Sequence, residues 1–104
     1  MCICLSRFEK NGNYYSKNRK FVDFPLHNLN MNKFMAIKDG NNYIYDLFSV
    51  SQHYGDRGGG HYTAICKNYD GNWYTYDDSR VFLSSERDVV TENAYVLFYR
   101  RKDW

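Results

Sequence analysis

The chain has 104 residues, 43% of them hydrophobic and 25% charged, with a formal net charge of +2 at pH 7. That length suits one domain rather than two, and the apolar content excludes a disordered tail. So small a charge gives no ground for inferring a polyanionic partner, whose binders usually carry a concentrated basic face. Aromatic residues make up 19% of the chain, with 11 Tyr against a single Pro, and such residues favour half-buried pleated surfaces, so strands are expected. The three cysteines, Cys2, Cys4 and Cys66, cannot all pair within one chain and match neither a disulfide framework nor a two-armed zinc ribbon. A reducing, intracellular compartment is expected. No apolar stretch approaches a membrane span, and the apolar start is too short for a signal peptide.

In chain order, residues 1–8 open on Met-Cys-Ile-Cys-Leu and read as one buried strand. Residues 9–20 are polar, with Asn11-Gly12 as a turn signal, and suggest a hairpin connection or exposed ribbon. A short strand is expected over 21–24, stopped by Pro25. Leu26, Leu29, Met31, Phe34 and Met35 recur without a helical period, which suggests irregular structure against a core. Asp39-Gly40 marks a turn. A long alternating strand follows over 43–54, with Tyr43, Tyr45 and Leu47 on one face and Ile44, Phe48 and Val50 on or near the other. Residues 55–60 form a loop, 61–69 a strand, Asp70-Gly71 a hairpin signal and 73–78 the returning strand, which 80–83 extends. Ser84 or Ser85 caps a helical turn or two, with Glu86 and Asp88 near its N-terminus. A last strand covers 94–100, and 102–104 are a tail.

The most informative local feature is Gly58-Gly59-Gly60 directly before His61. Three glycines admit a close backbone approach and positive φ, and a histidine after such a loop stands at the mouth of a strand. An imidazole titrating near neutrality can accept and return a proton. Alone, such a histidine would ordinarily be an edge hydrogen-bonder, and the adjacent acids Asp77-Asp78 a solvated strand end. Together, on neighbouring strands, they suggest a base and the carboxylate that orients it. Register leaves the carboxylate open. A two-residue turn at Asp70-Gly71 sets Thr63 opposite Asp78 and favours Asp78, whereas a five-residue connection over 67–71 sets His61 opposite Asp77.

These residues resemble the ubiquitin-specific proteases, papain-like cysteine deubiquitinases. The resemblance rests on Tyr45-Asp46-Leu47-Phe48-Ser49-Val50-Ser51-Gln52-His53-Tyr54-Gly55, on Gly58-Gly59-Gly60-His61-Tyr62-Thr63-Ala64, on Trp73-Tyr74-Thr75-Tyr76-Asp77-Asp78-Ser79 and on Ala94-Tyr95-Val96-Leu97-Phe98-Tyr99. Upstream, Leu5-Ser6-Arg7-Phe8 is similar to the family's Leu-Lys-Arg-Phe strand, with Ser6 departing from it, and Val22-Asp23-Phe24-Pro25-Leu26 to its Val-Asp-Phe-Pro segment. The resemblance implies an α+β, β-rich fold: a mostly antiparallel sheet forming part of a papain-like cysteine protease domain, with the helical, nucleophile-bearing half absent. It implies His61 as catalytic base, Asp77 as its orienting partner and Asp78 as a supporting acid. It also implies that Gly58, Gly59, Gly60 and Tyr62 line the channel for the ubiquitin tail.

The family's Gly-Asn-Thr-Cys segment, which carries the nucleophile and helps build the oxyanion hole, has no counterpart here. Cys2, Cys4 and Cys66 read as small buried residues rather than nucleophiles. The zinc-binding Cys-x-x-Cys pairs are missing too, so neither metal nor cofactor is implied. The expectation is that residues 1–104 are the C-terminal portion of a single deubiquitinase catalytic domain. Its partners would be ubiquitin and ubiquitinated proteins, with no nucleic acid and no membrane, and the chain alone would be inactive. A non-catalytic ubiquitin-binding or decoy module is the alternative. A third reading, single-stranded nucleic-acid binding through aromatic stacking and Lys17, Arg19 and Lys20, is opposed by the low charge.

Overall fold

The computed structural model describes residues 1–12, 14–35, 40, 42–55 and 60–102. Nine strands are described: β1 (Cys2–Cys4), β2 (Phe8–Asn11), β3 (Tyr14–Lys17), β4 (Leu29–Asn30), β5 (Ile44–Tyr54), β6 (His61–Lys67), β7 (Trp73–Asp77), β8 (Arg80–Ser84) and β9 (Ala94–Arg101). Helix among the described residues is limited to two single 3-10 turns, Asn32–Phe34 and Glu86–Asp88. Seven strands form one antiparallel sheet in the order β1-β9-β5-β6-β7-β8, with β4 also pairing β5, while β2 and β3 make a separate hairpin. No described helix is long and apolar enough to cross a membrane.

One face of the sheet carries the core, built from Leu47, Val50, Ile65, Trp73, Ala94, Leu97 and Tyr99 together with Phe24 and Val89. Each fully buried Val, Leu or Ile there contributes roughly 1.5–3 kcal/mol of transfer free energy. Val89 follows the second 3-10 turn, where the cap expected at Ser85 is realised as a capping box: the Ser85 amide donates to Asp88 Oδ2 at 2.9 Å.

Several expectations are corrected. Strict alternation sets Val50 on or near the face of β5 opposite Leu47, yet both lie in the core, because a register shift against β9 between Leu47 and Ser49 breaks the two-residue alternation. Residues 80–83 do not extend the β7 strand. They form β8, which turns back on β7 with Asp77 opposite Arg80, so Asp78 and Ser79 are a two-residue hairpin connection. Residues 21–24 form no strand. Phe24 instead plugs the core, Leu26 takes the Leu47 amide on its carbonyl, and Pro25 accepts the Tyr99 hydroxyl at 2.8 Å.

The single strand expected over 1–8 is two strands. Ile3 packs against the core while Cys2 and Cys4, pointing the other way on a sheet-edge strand, are exposed. Arg7, only 3% exposed, interrupts the run. Its Nε donates to the Ala94 carbonyl at 2.5 Å, and its Nη1 to the carbonyls of Asn18 at 2.9 Å and Lys20 at 2.8 Å. The Asn18 amide returns a bond to the Arg7 carbonyl. One guanidinium thus closes the base of the β2–β3 hairpin and ties it to the start of β9. Burial pushes its pKa down, partly offset by Glu92, and the group stays charged.

The turn signal at Asn11-Gly12 is met by the β2–β3 hairpin, where Asn11 pairs with Tyr14 and Gly12 takes φ 64°. Of the Asp39-Gly40 turn, Asp39 lies outside the described residues, as do 103–104 of the expected tail.

Candidate active site

The site is set by the β6–β7 hairpin, whose connection is neither of the two the sequence allowed. The Gly71 amide donates to the Asn68 carbonyl and the Asn68 amide to the Asn72 carbonyl, both at 2.9 Å, with Gly71 at φ 83°. This is a three-residue loop, Tyr69, Asp70 and Gly71, with a glycine in the left-handed region. Asp70 holds it by accepting the Asn72 amide at 2.9 Å and the Tyr74 hydroxyl at 2.5 Å. Those bonds, Tyr74 first, hold the Asp70 carboxyl below the usual range.

In the resulting register Ala64 pairs with Tyr76 and Lys67 with Trp73. Extended one step, it sets Asp77 level with Thr63, one diagonal from His61 on the same face. The side chains meet there: His61 Nε2 and Asp77 Oδ1 are 2.8 Å apart. The His61 side chain is 49% exposed and that of Asp77 31%, so the pair is reachable from solvent. An ionised carboxylate only accepts, so Asp77 fixes the proton on Nε2 and leaves Nδ1 as the nitrogen able to take one.

Asp78 occupies a different position. It is exposed, at φ 52°, in the connection to β8. Ligand atoms of His61, Asp77 and Asp78 lie within 4.8 Å of one another, near enough for all three to face a common cation.

Beneath His61, buried Gln52 on β5 accepts the Thr63 hydroxyl at 3.1 Å and the Tyr54 hydroxyl at 3.3 Å through Oε1. Its Nε2 reaches the Asp88 carbonyl at 3.4 Å, which connects the floor of the site to the capped turn. Tyr62, being next to His61 in the strand, points to the opposite face, where it is 55% exposed.

Gly58 and Gly59 lie outside the described residues. Gly60 is described, and it answers the expectation about glycine differently from its premise: its φ is not in the left-handed region. The space where its Cβ would go is filled by the ring of His53. His53 itself was not singled out from the sequence. In an alternating strand it reads as one more residue, and its contact with Gly60 depends on the β5–β6 register that sets it opposite Tyr62.

The cysteines are not where a small buried residue would be. Cys2 and Cys4 are exposed, and Cys66 is partly buried with Ser49 Oγ 3.0 Å from its sulfur. Cys66 lies five residues along β6 from His61 and on the other face, about 17 Å away at ~3.3 Å per residue. β1 stands three strand positions from β6, about 14 Å across the sheet at ~4.8 Å per strand. None of the three thiols reaches His61.

The sequence model of the ubiquitin carboxyl-terminal hydrolase family matches residues 1–99. Over 104 residues the chain is 47% identical to mouse (Mus musculus) ubiquitin carboxyl-terminal hydrolase 4, covering 99% of this chain and 11% of that protein. Over 98 residues it is 47% identical to Arabidopsis thaliana ubiquitin carboxyl-terminal hydrolase 10, covering 93% of this chain and 11% of that one. The chain thus spans about a tenth of the length of these relatives. Among solved structures, it superposes on a chain of the SAGA DUB module bound to ubiquitin aldehyde with a TM-score of 0.88 at 34% identity, covering 97% of this chain and 24% of that chain. A chain of the yeast SAGA DUB module gives a TM-score of 0.86 at 35% identity, with 97% and 23% covered. The antiparallel sheet expected from the sequence is therefore that of deubiquitinase catalytic domains, and the chain belongs to the ubiquitin carboxyl-terminal hydrolase family.

Proposed function

We propose that residues 1–104 are the C-terminal portion of a thiol-dependent deubiquitinase catalytic domain, supplying its base and orienting acid. The observation that carries this reading is the 2.8 Å contact between His61 Nε2 and Asp77 in a chain of this family. With Nε2–H held by Asp77, Nδ1 takes the thiol proton of a cysteine on another segment of the complete protein. The thiolate attacks the carbonyl carbon after ubiquitin's last glycine. The imidazolium then returns that proton to the departing amine, and water hydrolyses the thioester.

Asp78 adds negative charge beside the imidazolium, and Gly60 and Tyr62 border the channel for the tail. The substrates are ubiquitin conjugates joined through isopeptide or peptide bonds. Three free thiols, two of them exposed, suit a reducing intracellular compartment. Because no thiol of this chain reaches His61, the chain alone does not cut.

Two measurements test this. The 104-residue chain, treated with ubiquitin bearing a C-terminal electrophile, is expected to stay unmodified. In the complete protein, His61→Ala is expected to lower kcat/KM on a fluorogenic ubiquitin amide by roughly 10²–10⁴-fold. Asp77→Asn is expected to lower it less, since an amide oxygen still accepts from Nε2–H. An adduct on Cys2, Cys4 or Cys66, or full activity of His61→Ala, would sink the reading.

A further inference from the structure

We propose that His53 is a positioning residue for the His61 site: its ring is the wedge against which Gly60 rests, so it sets where the histidine that follows begins. The catalytic meaning of this rests on the function proposed above, but the geometry stands apart from it.

A Cβ built on Gly60 would overlap His53 Nε2 and lie 2.5 Å from Cε1 and 2.9 Å from Cδ2. Real Cβ atoms do not come so close, so the backbone of Gly60 is seated directly on the imidazole edge. Since φ at Gly60 is not left-handed, conformation places no demand for glycine here, and space alone does. The residue after Gly60 is His61, one peptide from the contact.

His53 is a rigid support because it is held on every side. It is 1% exposed. Its ring centroid lies 5.3 Å from that of Phe8 in an edge-on arrangement, 4.7 Å from Tyr62 and 6.1 Å from Tyr95. Its amide donates to the Asn93 carbonyl at 2.8 Å, and its carbonyl accepts Lys17 Nζ at 2.6 Å. Phe8 and Lys17 belong to the β2–β3 hairpin, and Tyr95 to β9. The wedge therefore joins three parts of the fold at the residue that meets Gly60, and docking of the hairpin is transmitted to the start of β6. His61 itself is exposed; its backbone pairs with Tyr54 in the β5–β6 ladder and its ring meets Asp77, so the His53–Gly60 contact bears on it from the loop side.

The test uses the 104-residue chain labelled with ¹⁵N at histidine, reading the His61 imidazole nitrogens by long-range ¹H–¹⁵N correlation. Wild type should show one tautomer, protonated at Nε2. His53→Ala should move His61 towards the tautomer mixture of free imidazole and speed amide exchange at Gly60 and His61 by at least tenfold. His53→Phe, which keeps a flat ring of similar size, should restore the single tautomer, and His53→Asn should not. Gly60→Ala should disturb His61 in the wild-type background and add little in the His53→Ala background, because the overlapping ring is then gone.

A His53→Ala chain that melts lower yet keeps the His61 tautomer and amide exchange of wild type would overturn the proposal, leaving His53 a core residue only. So would a silent Gly60→Ala. If His53→Ala does not fold, the contrast between Phe and Asn decides. None of these readouts depends on hydrolysis, so they succeed or fail independently of the proposed reaction.

Discussion

Replacing Tyr99 with Phe removes one hydroxyl from the core and keeps the ring. That hydroxyl is buried with the rest of a side chain only 1% exposed, and it donates to the Pro25 carbonyl at 2.8 Å. Below pH 10 its loss should cost about 1 kcal/mol, the net worth of one such hydrogen bond. Burial also raises the Tyr99 pKa from 10.0 to about 12, because a phenolate would be stripped of water there. The folded value lies above the unfolded one, so this contribution is complete below about pH 10 and is lost as the pH rises towards 12. By linkage the wild type loses about 1.4 kcal/mol by pH 11 and about 2.3 kcal/mol by pH 12, and the Phe variant loses none of it.

The two stability curves should therefore cross near pH 10.7, with the wild type more stable below and Tyr99→Phe above. Urea unfolding of both proteins at pH 8, 10 and 11, followed by far-UV circular dichroism, measures the difference. Tyr74 and Tyr95, whose pKa values are also raised, are present in both proteins and cancel. A difference that stays constant from pH 8 to 11 would refute the reasoning, since it would mean that the Tyr99 hydroxyl titrates as it does in water.

The turn at Asp78 separates conformation from charge. With φ 52° at that residue, Asp78→Gly should change stability by no more than about 0.5 kcal/mol, while Asp78→Val should cost about 1–2 kcal/mol, both read by denaturant unfolding. Equal effects of the two substitutions would show that the left-handed conformation carries no strain. The cysteines predict a two-phase thiol titration: Cys2 and Cys4 should react with an aromatic disulfide reagent at the rate of open thiols, and Cys66, partly buried and beside Ser49, at least tenfold more slowly. Three thiols reacting at one rate would contradict the placement of Cys66.

Local chemistry was legible wherever it resolves within a few residues. The cap at Ser85, the turn after Asn11, the paired strands around Asp70-Gly71 and the last strand follow from turn residues, alternation and capping geometry, all of which act over short range. The errors share a cause as well. The β5 bulge, the split of β8 from β7 and the unstranded Phe24 depend on what lies across the sheet, which alternation along a single strand cannot report. The exposure of Cys2 and Cys4 follows from the position of β1 at an edge, a property of strand order rather than of the residues.

The half-site shows the same division. From the sequence alone came a histidine behind a glycine run, two acids on the returning strand and the resemblance that selected the first acid. Tertiary structure supplied the three-residue loop and the diagonal that brings Asp77 to 2.8 Å from His61. It also showed the last glycine to be there for the ring of His53. Residue identity determines which groups can exchange a proton; register and packing, which sum contacts between residues far apart in the chain, decide which of them meet.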